Sequence, residues 1–143
     1  MSESLNTIER SDIIKDIGQL ISRVQKLETQ VLLNRKYFST EPTWTAPTMG
    51  NSWVNFGAPY QVAGYTLTPG SEVKLRGVIK SGTVNTTIFT LPAGYRPASD
   101  RIFSVISNAA VGVLVIQSDG DVILTTGNNT YASLDGVSFY AEA

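Results

Sequence analysis

A chain of 143 residues has room for one compact domain of ordinary size plus a short extra element. It is 42% hydrophobic and 9% aromatic, carries a formal net charge of -1, and contains neither Cys nor His. A disulfide framework, a thiolate nucleophile, an imidazole base and a zinc site of the usual nitrogen and sulfur type are therefore excluded. No apolar run approaches the roughly 18 residues that span a bilayer. The opening MSESLNTIER lacks the basic and then apolar blocks of a secretory signal. Acidic and basic residues are interspersed at a pI near 5.3, which leaves no electrostatic footprint for DNA or RNA. These features lead us to expect synthesis in a cytoplasm, no membrane insertion, no nucleic-acid partner and no cofactor.

Charge and turn residues divide the chain near residue 40. Residues 1–40 hold six Lys or Arg and five Asp or Glu, against five and seven over the remaining 103 residues, where all six prolines and eleven of twelve glycines lie. The first part reads as a helix. Ile13, Ile17, Leu20, Val24, Leu27 and Val31 recur at alternating steps of four and three, the rhythm of d and a positions in a coiled-coil seam. Ser11 or Asp12 is placed to cap its start, with Glu9, Asp12 and Asp16 on the side a helix N-terminus favours and Arg35 and Lys36 near its end. The same stripe also suits an amphipathic helix packed on its own domain. The stricter 3.5-residue spacing and the Pro-punctuated STEPTWTAPT that follows favour a parallel coiled coil. Ile or Val at a with Leu at d favours two chains, whereas Ile14 and Ile21 widen the apolar face at e, which suits three or more, so the seam leaves the number open.

Residues 41–52 read as a linker and 53–143 as an all-β domain. WVNF and YQVAGYTL lead to the turn TPGS, and EVKLRGVIK then alternates as one strand with a covered face. TTIFTL, the loop PAGYRPASD and RIFSVIS come next. VGVLVIQ and DVILT flank Ser118-Asp119-Gly120-Asp121, a hairpin signal, and VSFYA closes the series. Seven or eight strands at roughly ten-residue spacing predict an antiparallel β-sandwich or barrel. VGVLVIQ and RIFSVIS are apolar on nearly both faces, so a second surface must cover them, and neighbouring chains about a shared axis would do so.

The carboxylates Asp100, Asp119, Asp121 and Asp135 are the candidates for an acid and base pair, but three sit beside glycine in turns, where Asp is favoured for local backbone bonding. Two carboxylates in SDGD fall short of the six to eight oxygens calcium takes. We therefore expect no metal, no catalytic residue and no enzyme activity. Tyr95 and Arg96, between Gly94 and Pro97, read as loop anchors, with a binding lip as the alternative. Trp44 and Trp53 read as core, with sugar stacking as the alternative.

WTAPTMGNSWVNFG, a strand ending in a Pro-Gly turn, EVKLRGVIKSG, TIFTLPAGYRP, the hairpin on Asp119-Gly120 and the terminal SLDGVSFYA together resemble the C-terminal head domains of bacteriophage tail-fibre and receptor-binding proteins. Minor tail proteins of phages infecting Gram-positive hosts are among these. The resemblance covers residues 44–143 and is most specific over Thr87 to Pro97. It implies a homotrimer, a helical stem joined to other virion proteins through the N-terminal segment, and β heads that bind host-surface saccharide. For such contact the exposed-loop residues Asn128, Asn129 and Tyr131, within Gly127 to Tyr131, and Asn108 are the candidates, because amides offer donors and acceptors together and Tyr a flat face with a polar tip. The same GNNTY suits a plain turn. The expected role is thus a virion fibre tip that binds host glycan; a decoration or head-fibre protein with no specific ligand is the structural alternative, and a fibre-borne glycan hydrolase the third.

Overall fold

The computed structural model describes residues 7–39 and 41–142. Of the stretch from Met1 to Arg10 expected to dock on the virion, residues 1–6 lie outside the described residues. The chain forms two compact units, Met1–Glu41 and Pro42–Ala143.

The first unit is one helix, α1 (Thr7–Ser39), with Glu9 in its first turn and Lys36 in its last, both on the side the helix dipole favours. It begins a turn earlier than the capping expectation placed it, so Ser11 and Asp12 lie inside it rather than at its end. At 33 residues it extends about 50 Å at 1.5 Å per residue. Ile13, Ile17, Leu20, Val24, Leu27 and Val31 share one stripe and are 43% to 60% exposed in the single chain. The helix itself continues past Val31, where the same rhythm meets the polar Asn34 and then Phe38.

The second unit is antiparallel β throughout. Its strands are β1 (Val54–Asn55), β2 (Gly64–Leu67), β3 (Glu72–Arg76), β4 (Val78–Lys80), β5 (Thr87–Thr90), β6 (Arg101–Ser107), β7 (Ala110–Ile116), β8 (Asp121–Thr126), β9 (Ala132–Ser133) and β10 (Ser138–Tyr140). A curled seven-stranded sheet runs β1-β4-β9-β6-β7-β8-β5, and a three-stranded sheet runs β10-β3-β2. The core is Val73, Ile79, Ile88, Leu91, Leu114, Ile116, Val122, Leu124 and Leu134, all with no exposed surface. Burial of each contributes about 1.5–3 kcal/mol.

EVKLRGVIK, expected as one strand, is two strands in different sheets. Gly77 separates them at φ +105°, and a Cβ there would stand 2.5 Å from the Ala63 main-chain nitrogen. Its own N–H donates to Asp135 Oδ1 at 2.8 Å and its carbonyl accepts from Leu134 N at 2.8 Å. The chain changes sheets at the one residue able to adopt that turn. Residues 42–52, read as a linker, belong to the β unit. Thr45 pairs with Tyr65, Gly50 N donates to Ile88 O at 2.8 Å, and Asn51 Nδ2 donates to Thr87 O at 2.7 Å. This segment covers the edge of β5 with main-chain and amide bonds, which hydropathy does not register. Just after it Trp53 is 2% exposed and packs where a Cβ on Gly82 would meet its indole at 1.9 Å.

β6 and β7 pair along their whole length. Val105, Ser107, Leu114 and Ile116 turn inward, whereas Ile102, Ile106 and Val111 are 74%, 54% and 71% exposed. Ile106 lies opposite Val111 and Ile102 opposite Val115. The doubly apolar strands thus have one face in the core and one bare face in the single chain.

Candidate functional site

Asn108, Asn128, Asn129 and Tyr131 come from two connections that meet at one end of the large sheet. Asn108 and Ala109 form the two-residue turn between β6 and β7, with φ of +48° and +61°. This is the primed geometry that fits the twist of a hairpin. Gly127 to Tyr131 joins β8 to β9. Asn108 N donates to Tyr131 O at 3.1 Å, and the Tyr131 hydroxyl accepts from Ala109 N at 2.7 Å.

The loop uses most of its own polar groups. Asn128 Oδ1 accepts from Thr130 N at 2.8 Å, Asn129 Nδ2 donates to Gly82 O at 2.9 Å, and the Asn129 carbonyl accepts from Ser81 N at 2.8 Å. Three of the four candidate side chains therefore help hold the loop's shape, and the exposed Asn108 stands beside them at the same end.

The sequence reading missed the aromatic residues behind these loops. The Phe56 ring meets Tyr131 edge-on at 6.2 Å and Tyr60 at 5.3 Å, and Lys80 Nζ lies 4.9 Å from its centroid. Tyr60 is 53% exposed. The signal available was Gly57-Ala58-Pro59, a turn that lifts the following ring from the sheet. Rings beside amides and an ammonium group form a surface suited to a hydroxyl-rich ligand.

Elsewhere the candidates serve the fold. Tyr95 packs edge-on against Tyr65 at 5.2 Å, and Arg96 Nε donates to Leu91 O at 2.8 Å, so both anchor their loop. Trp53 lies in the core, but Trp44 does not: it is only half-buried, under the Arg76 guanidinium at 4.5 Å. The four turn carboxylates face backbone or hydroxyls. Asp100 accepts from Ser118 N, Asp119 from Asp121 N, Asp135 from Gly77 N, and Asp121 from the Thr87 and Thr90 hydroxyls. Among the described residues no group of three or more His, Cys, Asp or Glu is placed to hold a metal ion, and no helix is long and apolar enough to cross a membrane.

No family model matches the sequence, and no curated protein matches it. The fold does match a solved structure, the crystal structure of the receptor-binding protein of Listeria phage PSA. The TM-score is 0.69 at 14% identity, over 98% of this chain and 89% of that one.

Proposed function

We propose that this chain is a phage virion fibre component whose β head contacts saccharide on the host cell surface and whose helix assembles three copies into a stem. The observation that carries the reading is the fold shared with a phage receptor-binding protein over 98% of the chain. The exposed stripe on α1 and the bare Ile102, Ile106 and Val111 face supply the two apolar surfaces that a shared axis would bury. Three identical heads would turn weak single-site contacts into firm attachment through avidity. This reading includes no catalytic step.

One observation favours a second reading, a virion decoration protein that displays its head without a specific ligand. It is the internal use of the Asn128, Asn129 and Tyr131 polar groups. Binding of the fluorescently labelled chain to cell walls from a panel of Listeria and other bacterial strains separates the two. Host recognition predicts saturable binding to some strains that is lost when wall glycans are stripped. Uniformly absent binding at high protein concentration establishes decoration instead.

A further inference from the structure

A second surface has better ligand chemistry than the loops. Where the outer edge of β10 approaches the start of β6, a groove of about 300 Å³ opens between the two sheets. Its floor is apolar: Phe139 is buried, with its ring 6.4 Å from that of Phe103. Tyr140, 60% exposed, forms one wall and lies opposite Glu72 in the register of β10 with β3. Arg101, Ser138 and the 74% exposed Ile102 complete its lining, so the groove borders the bare sheet face without lying on it. Among the described residues β10 pairs with no strand but β3, so its outer edge also presents main-chain donors and acceptors.

The charges here are loosely held. Arg101 Nη2 stands 3.9 Å from Glu142 Oε2, and Lys74 Nζ stands 4.0 Å from Glu72 Oε2, both beyond hydrogen-bond length. With side chains between 32% and 48% exposed, such pairs hold their partners weakly, and the groups can turn to a ligand at little cost. Of these four groups only Arg101 and Glu72 line the groove, one of each sign, which leaves its lining neutral.

We propose that this groove takes one neutral pyranose unit of the surface saccharide, an assignment that rests on the host-recognition reading. The Tyr140 ring covers the C–H face of the sugar. Arg101 donates to, and Glu72 accepts from, hydroxyls on its edge, planar groups suited to vicinal hydroxyl pairs. A polyol phosphate is disfavoured because Arg101, the one cation in the lining, is offset by the Glu72 carboxylate of the same lining.

Amide spectra of the ¹⁵N-labelled full chain, titrated separately with glucose, galactose, N-acetylglucosamine, rhamnose and glycerol phosphate, test this. We expect saturable shifts at Arg101, Ser138 and Tyr140 with at least one neutral sugar. Shifts centred on Tyr60, Asn108 and Asn128, a response to glycerol phosphate alone, or no response to any sugar overturns the assignment. Binding to cell walls supplies the second arm. Tyr140→Ala and, separately, the milder Arg101→Gln should each weaken it about tenfold or more with circular dichroism unchanged. Undiminished wall binding by both variants overturns the groove and leaves host recognition standing. A wild-type chain that binds no wall overturns both.

Discussion

Ser107 and Asn128 exchange two hydrogen bonds through one hydroxyl. Ser107 Oγ donates to the Asn128 carbonyl at 2.9 Å and accepts from the Asn128 N–H at 2.7 Å, although 21 residues separate them. Ser107 is 2% exposed, so this hydroxyl is a buried pin between the end of β6 and the loop that enters β9.

Ser107→Ala removes the pin and takes from the Asn128 N–H and carbonyl their shared partner. The expected cost is about 0.5–1.5 kcal/mol. Chemical denaturation should show a lower midpoint, and hydrogen exchange should quicken at Asn128 and Thr130 before the sheet core. An unchanged midpoint would mean that water replaces the hydroxyl without loss.

Gly77→Ala puts a Cβ 2.5 Å from the Ala63 backbone at a φ that L residues rarely adopt. The β3 to β4 switch must then distort, and a loss of more than about 2 kcal/mol is expected. Gly70→Ala is the control, because a Cβ there meets nothing within 4 Å. Equal stability of the two variants in thermal melts contradicts the sheet-switching role of Gly77.

Tyr131→Phe keeps the ring against Phe56 but deletes the acceptor for Ala109 N. The expected loss is about 0.5–1.5 kcal/mol, with faster exchange of the Ala109 amide. Protection of that amide equal to wild type would show that the turn does not depend on the hydroxyl.

Ile106→Asp tests the bare sheet face. Ile106 is 54% exposed, so a single chain should tolerate the change within about 0.5 kcal/mol. Assembly that buries this face should weaken markedly, because each copy brings a charge into the contact. Unaltered concentration dependence in sedimentation would place the face outside the contact.

Elements governed by local periodicity were legible in the sequence. The α1 stripe follows a 3.5-residue rhythm that needs no tertiary information, and RIFSVIS and VGVLVIQ are bounded by turn residues that correspond to β6 and β7. The break at Gly77 was hidden because Val73, Leu75, Gly77 and Ile79 keep an unbroken alternation across two sheets. Residues 42–52 looked like linker because their attachment is made by main chain and an Asn amide rather than by apolar side chains. Asn108 and Tyr131 were each nameable, but not the bonds that consume the loop's polar groups, since those depend on β6 meeting β9. Arg101 and Tyr140 escaped notice for the same reason: 39 positions apart in sequence, they share a groove through the placement of β10 alongside β6.

The account rests on copies of this chain burying the α1 stripe against one another. Mass measurement in dilute solution, by sedimentation equilibrium over a wide concentration range, tests it most directly. The prediction is a species about three times the 15.5 kDa chain for wild type, shifting toward the single-chain mass when Ile17→Asp and Val24→Asp place like charges in the seam. A wild-type mass of 15.5 kDa at every concentration contradicts it.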